Sequence, residues 1–317
     1  MKVLLNKIRG RIKSTELYLT VRNRTDNKFV RTIVNCLILP YAAINVLFFD
    51  RIIRKPFLKY NLTAAIIIKN EAKYIKEWLN YYKIIGFEKI YVYDNESTDN
   101  TYQTLLPFIE DGFVDYYLIK GNSRQMDAYN DALIKSRKES KYIAFLDADE
   151  FMFLPESSKS LLQIINKIFS KNSKIGGVII NWLIFGSSGF DKAPKGFVTQ
   201  NFLYRSNFGF SKNRHVKTIC DPRKVEGINN PHYVEYKLGY FSVNTVGEKA
   251  KGPFTEYNDN TPIRINHYFT KSKEEFLKKR NRGMADKPGI RDLSDFYTHD
   301  KNDVFDNSMS RFKNLLQ

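Results

Sequence analysis

An α/β fold, with a Rossmann-like, mostly parallel sheet flanked by helices, is what the middle of this 317-residue sequence predicts. Three observations carry the prediction. Short β-rich apolar runs recur without polar alternation, as strands buried on both faces require. Segments of helical period separate them, so strand and helix alternate as in parallel sheets. Polar, acid-rich clusters follow two of the runs, where the carboxyl ends of parallel strands gather ligands.

In chain order, Leu62–Ile68 reads as the first buried strand. Asn70–Ile85 reads as a helix with Ile75, Trp78, Leu79, Tyr82 and Ile85 on one face and Gly86 as its stop. Lys89–Tyr93 is the second strand, Asn100–Glu110 a helix, Val114–Ile119 the third strand, Arg124–Lys138 a helix and Tyr142–Leu146 the fourth strand. Beyond residue 156 the pattern is mixed, with a helix near Ser160–Phe169 and a strong strand at Gly177–Phe185. Further strands are expected near Phe202–Arg205, Val216–Cys220 and Ile263–Tyr268, then a basic helix at Lys273–Arg282 and an irregular tail after Asp286.

The N-terminal sixty residues differ in texture. They carry 13 Lys/Arg against 3 Asp/Glu (13 − 3 = +10), which leaves +7 of the total +17 for the rest of the chain. Their centre, Val30–Phe49, is the most apolar stretch, with Arg22, Arg24, Lys28 and Arg31 before it and Arg51, Arg54 and Lys55 after it. Asn35, Pro40 and Asn45 interrupt the run, which is only just long enough to span a bilayer. We read it as a segment lying at a membrane surface, with a single span or ordinary packing as alternatives.

Composition excludes several classes. A 43% hydrophobic share with 15% aromatics rules out global disorder. Two distant cysteines, Cys36 and Cys220, provide neither a disulfide framework nor a CxxC zinc site. The basic excess suits a nucleic-acid binder. Much of it surrounds an apolar segment, however, and no recognition module is present, so no nucleic-acid partner is expected. A metal-dependent nucleotidyltransferase stays as the other alternative, although Lys69-Asn70-Glu71 stands where its phosphate loop would be.

The sharpest chemistry is Asp147-Ala148-Asp149-Glu150 after the fourth strand. Three carboxylates there repel one another unless a cation lies between them. In extended backbone, residues two apart share a face, so Asp147 and Asp149 can reach one ion. Hard oxygen ligands select Mg²⁺ or Mn²⁺. The plain alternative is a solvated acidic turn, which fits poorly between Phe145-Leu146 and Phe151-Met152-Phe153-Leu154. Asp94-Asn-Glu-Ser-Thr-Asp99 is a second polar loop at a strand end, with simple helix capping as its plain reading.

Together with Ile67-Ile-Lys-Asn-Glu71, Glu77-Trp78, Phe185-Gly-Ser-Ser-Gly189 and Ile265-Asn-His-Tyr-Phe-Thr-Lys-Ser-Lys-Glu-Glu-Phe276, these segments resemble the GT-A glycosyltransferases. The likeness is to glycosyltransferase family 92 and its bacterial relatives in family 2, and it covers roughly residues 62–285. It implies three parts: a basic N-terminal segment over 1–60, a GT-A domain over 61–285 and a C-terminal tail over 286–317. It further implies donor contacts from Asn70, Glu71, Asp94, Arg124, Gln125 and Asp147, and a metal held by Asp147, Asp149 and His267. Asp191 is the implied general base, with Glu150 and Glu226 behind it. His215 and His232 read as structural, and Trp78 and Trp182 as core, with Trp182 alternatively a platform for a sugar. The expected activity is inverting transfer from a nucleotide-sugar, a UDP-hexose, to a glycan or lipid-linked acceptor. The expected place is the cytoplasmic face of a membrane, with a single-pass arrangement as the alternative.

Overall fold

The computed structural model describes residues 2–49, 58–156, 159–256 and 261–316. Three helices come first: α1 (Lys2–Lys13), α2 (Glu16–Arg24) and α3 (Lys28–Ile44), the last extended by a π-helical turn over Asn45–Phe49. The alternation follows as β1 (Tyr60–Ile68), α4 (Ile75–Ile84), β2 (Lys89–Asp94), α5 (Thr101–Glu110), β3 (Val114–Leu118), α6 (Gln125–Glu139) and β4 (Ser140–Leu146). Next come β5 (Glu150–Phe153), α7 (Leu161–Ser170) and β6 (Ile175–Ile184). The second half holds α8 (Val198–Asn201), β7 (Tyr204–Arg205), β8 (Val216–Cys220), β9 (Val225–Ile228), β10 (Val234–Tyr236), β11 (Phe241–Val243) and β12 (Lys249–Ala250). It closes with β13 (Arg264–His267), α9 (Lys273–Asn281), α10 (Ser294–His299), β14 (Val304–Phe305) and a 3₁₀ turn over Ser308–Leu315.

The main sheet runs β12-β11-β6-β8-β4-β1-β2-β3. β1 pairs in parallel with both β2 and β4, and β2 with β3. β8 is antiparallel to its two neighbours, β4 and β6, and the edge strand β12 is antiparallel to β11. The mostly parallel sheet expected from the sequence is therefore present. Leu62–Ile68 is buried throughout, as an unalternating apolar run requires. The register places Ile68 beside Asp94 and Ile66 beside Leu146, so the polar loops after β2 and β4 emerge at one edge.

Four departures have local causes. Helix α4 begins at Ile75, not Asn70, because Asn70 adopts φ +54° and its side chain accepts from the Thr98 amide (2.7 Å). β5 is a strand that periodicity did not reveal; it pairs antiparallel with β13, setting Glu150 opposite His267. The expected strand near 202–205 shortens to Tyr204–Arg205. The tail is ordered: Phe296, Met309 and Leu316 are buried, and Asp306 bridges Arg205 and Arg264 at 2.8 Å each.

The N-terminal helices are built into the body. α1 lies on β9, where a Cβ on Gly227 would meet the Gly10 carbonyl oxygen at 2.1 Å. Ser14 Oγ donates to the Glu226 carbonyl (2.8 Å), and Asp127 of α6 forms ion pairs with both Arg22 (3.1 Å) and Arg124 (2.8 Å).

Candidate active site

The acidic turn sits at the carboxyl end of β4, and its shape is fixed from below by aromatic residues of α4. Trp78 Nε1 and the Tyr82 hydroxyl both donate to the Glu150 carbonyl at 3.0 Å, and the Tyr81 hydroxyl donates to Met152 O at 2.5 Å. The apolar face of α4 thus anchors β5 and, with it, the turn. Trp78 is fully buried, as the core reading expects.

Asp147 is held by three donors. Gln125 Nε2 (2.8 Å) and the Tyr129 hydroxyl (3.2 Å) reach Oδ1, and Lys217 Nζ reaches Oδ2 (2.8 Å). Lys217 comes from β8, is fully buried, and lies 3.5 Å from Glu150 Oε2 as well. Burial penalises both carboxylates. The Lys217 ammonium nevertheless holds Asp147 below the ordinary range, whereas burial drives Glu150 well above it.

Asp149 faces a different set. Its Oδ1 lies 3.3 Å from His267 Nε2, and Lys279 Nζ donates to its Oδ2. Against the cost of burial, Lys279 and His267 push its carboxyl well below the usual range. The β5–β13 register delivers His267 to this point. Lys279 also donates to Phe269 O (3.1 Å) and lies 4.3 Å from the centre of that ring. Beside it, Arg282 pairs with Glu71 (2.5 Å) and donates to Lys69 O (2.5 Å).

These groups line a cavity of about 350 Å³ that also contains Gln125, Trp182 and all four histidines of the chain: His215, His232, His267 and His299. Trp182 organises three of them. His215 stacks on the indole at 4.8 Å, His267 lies tilted at 4.1 Å and His232 meets it edge-on at 5.0 Å. Burial lowers the pKa of every one, to about 3 for His232 and about 4 for His299, so the four rings are neutral at physiological pH. A second cavity of about 400 Å³ adjoins the first. It shares Glu71, Asp149, Lys279 and Arg282 with it and adds Asn70, Tyr74, Ala193 and Glu275.

The structure brings Glu71, Gln125, Asp147, Asp149 and His267 together on the first cavity, and Asn70 onto the second. Others stand elsewhere. Arg124 is buried against α2, donating to Arg22 O (3.1 Å) and to Asn23 Oδ1 (2.5 Å), so it fastens the N-terminal helices and does not reach either cavity. Asp94 accepts from Ser97 N–H of its own loop (2.8 Å) and from the Tyr116 hydroxyl of β3 (3.0 Å), and it lines neither cavity. Glu150 is sealed beneath the turn, and Glu226 lies under α1 beside Arg11 (3.5 Å). Asp191 is exposed on a loop two residues from Ala193. Sequence reasoning missed Lys217 and set His215 and His232 aside. No local motif announces them, because β8 reaches β4 only through the sheet.

Whether a divalent ion fits is decided by the donor chemistry. Among the described residues no group of three or more His, Cys, Asp or Glu has metal-binding geometry. Asp149 and His267 form a two-ligand pair, 3.3 Å apart and facing the cavity. The Asp149 carboxylate suits Mn²⁺ or Mg²⁺, ions that take their remaining ligands from water and phosphate, and the His267 imidazole favours Mn²⁺ of the two. Asp147, turned toward Lys217, stands beside that pair and not in it.

Sequence comparison gives the same region a lineage. The model of glycosyltransferase family 92 matches residues 64–289. A family 92 protein of Oryza sativa subsp. japonica is 27% identical over 188 residues, which are 58% of this chain and 31% of that protein. One from Ricinus communis is 26% identical over 199 residues, 59% and 33% respectively. The chain thus spans 31–33% of the length of these relatives. Among solved structures, S. aureus TarS 1–349 in complex with UDP-GlcNAc aligns with a TM-score of 0.33 and 12% identity, covering 61% of this chain and 60% of that one. Glucosyl-3-phosphoglycerate synthase of Mycobacterium tuberculosis, solved with Mn²⁺, UDP and glucosyl-3-phosphoglycerate, aligns at 0.27 and 12%, covering 38% and 44%. With the matched region running from β1 through the acidic turn and β13 to α9, the chain belongs to glycosyltransferase family 92.

Proposed function

We propose that this protein is a metal-dependent, inverting glycosyltransferase that moves a sugar from a nucleotide-sugar, of the UDP-hexose class, onto a glycan or lipid-linked acceptor in cell-surface polysaccharide synthesis. One observation carries the reading: the Asp149–His267 pair lies at the carboxyl end of a parallel sheet, with the cations Lys279 and Arg282 lining the same cavity.

Each residue then has a task. Asp149 and His267 would hold the ion; when bound, Mn²⁺ or Mg²⁺ offsets the charge that builds on the departing nucleoside diphosphate. Lys279 and Arg282 line both cavities and supply fixed positive charge for the diphosphate oxygens. Gln125, Tyr129 and Lys217 hold Asp147 toward the donor. Trp182, buried among His215, His232 and His267, supports those rings where they line the cavity. The second cavity takes the acceptor. Asp191 is the proposed base. It is exposed, its carboxylate has no partner among the described residues, and its loop borders that cavity, whereas Glu150 is locked to Lys217. The acceptor hydroxyl loses its proton and attacks the anomeric carbon as the nucleoside diphosphate leaves, with no covalent sugar intermediate. The enzyme works at the cytoplasmic face of a membrane, held there by its N-terminal helices.

The test is nucleoside diphosphate release from a panel of nucleotide-sugars, with Mn²⁺, with EDTA, and by Asp149→Ala. Slow metal-dependent hydrolysis of one donor, absent in the variant, is expected. The absence of both turnover and donor-dependent thermal stabilisation across the whole panel would contradict the proposal.

A further inference from the structure

Helix α3 has two unlike faces. Val34, Ile38, Ala42 and Val46 are buried at helical spacing against α1 and α2. The opposite face is apolar and open: Phe29 is 73% exposed, Leu37 70% and Phe48 73%, with Ile33, Tyr41 and Ile44 between them. Lys28–Phe48 is long and apolar enough to cross a bilayer, yet only 17% of its most apolar window is buried, so this is no core helix of a soluble fold. An apolar strip of this size in water marks an interaction surface.

Beside that strip, α1 and α3 enclose a groove of about 540 Å³. Lys2, Arg9, Lys13 and Arg31 line it together with Leu5 and Leu39, and no carboxylate lines it among the described residues. Burial depresses the Lys13 pKa; the nearby Asp127 carboxylate raises it, and Arg9 and Arg31 lower it. Over residues 2–49 the chain carries 9 Lys/Arg against 2 Asp/Glu (9 − 2 = +7).

We infer that α1 and α3 form a docking surface for an anionic phospholipid bilayer, with α3 lying in the plane of the interface and lipid phosphates seated in the cationic groove. Apolar residues with cations beside them match acyl chains with anionic headgroups beside them. A transmembrane course for α3 would demand that Val34, Ile38 and Ala42 leave α1 and α2. Those helices are fixed to the body through Ser14–Glu226 and Asp127–Arg22. The inference deepens the peripheral placement proposed above and is independent of the transfer chemistry, since donor hydrolysis without vesicles does not involve it.

The experiment is flotation of the whole protein with phosphatidylcholine vesicles and with mixed phosphatidylcholine–phosphatidylglycerol vesicles, at low and high salt. Binding should require the anionic lipid and be reversed by salt. The triple variant Arg9→Gln/Lys13→Gln/Arg31→Gln should lose at least about tenfold in partitioning, with Arg9→Lys/Arg31→Lys retaining it. Should the triple variant prove unfolded by circular dichroism, a second reading stands on the parent sequence. Cys36 is exposed on α3 and Cys220 is buried, so a polarity-sensitive fluorophore attaches to Cys36 alone. Its emission should shift blue on anionic vesicles and stay unchanged on neutral ones. Equal binding to both lipids, binding that survives high salt as a span would, no binding to either, or a folded triple variant with full affinity would each overturn the inference.

Discussion

Residues 60–150 bring Glu71, Asp147 and Asp149 to the cavity, whereas residues 182–299 bring all four imidazoles, every Lys and Arg that lines it, and two further carboxylates, Asp286 and Asp295. The acids are encoded locally, since Asp147 and Asp149 follow directly on β4. Their partners are assembled at a distance: Lys217 from an antiparallel strand, His267 through the β5–β13 register, Lys279 from α9. The comparison teaches that the two acidic residues, two apart in sequence, are different groups. Asp147 is neutralised by a permanently buried ammonium. Asp149 is matched to an imidazole and to a lysine, all three lining the cavity.

That contrast can be broken by substitution. Replacing Asp149 with Ala should lower metal-dependent donor turnover by about 10²–10³-fold, the loss typical of removing one electrostatic element of a transfer site, with little change in thermal midpoint. A comparable loss of activity in His215→Ala with none in Asp149→Ala would reverse the assignment. The Lys217→Met variant should behave oppositely. It leaves Asp147 and Glu150 without their shared cation, so we expect a stability loss of about 3–5 kcal/mol in chemical denaturation. An unchanged denaturation midpoint would show that Glu150 simply takes up a proton.

A smaller effect concerns the way the helices are joined to the body. Gly227→Ala places a methyl group into the Gly10 backbone and should cost about 1–3 kcal/mol. It should also loosen α1, read as faster amide exchange over residues 2–13. The smallest effect is titration. His232 and His299 stay neutral in the fold down to about pH 3 and pH 4, while in the unfolded chain they take protons below about pH 6.5. The unfolded state therefore binds more protons in that window, and stability should fall as pH drops from neutrality toward 4. Melting curves at successive pH values check this, and His232→Asn/His299→Asn should flatten the slope.

Much of this was legible beforehand, in a particular way. Period and burial gave β1 to β4 with their helices, because two-sided burial leaves an unbroken apolar run that sequence displays. The acidic turn was visible for the same reason, as charge interrupting such runs. The place of Arg124 is not legible in sequence, because a basic residue opening a helix near the acidic strand suits several partners; the tertiary fold turns its guanidinium toward Arg22 and Asn23. Asp94 is ambiguous in sequence, because a loop carboxylate serves its own backbone as readily as a ligand. Lys217 carried no signal at all, since a lysine within Val216–Cys220 reads as an ordinary strand residue until β8 is placed beside β4.

If Asp149 and His267 together create an ion-dependent donor site, nucleotide binding must need the metal and both side chains. Calorimetric titration of UDP into the protein, with Mn²⁺ and after EDTA, tests it most directly, repeated on Asp149→Asn and His267→Gln. We predict binding by the parent only with the metal present, and loss of that metal-dependent binding in both variants. Undiminished UDP affinity in EDTA, or in either variant, would contradict the account.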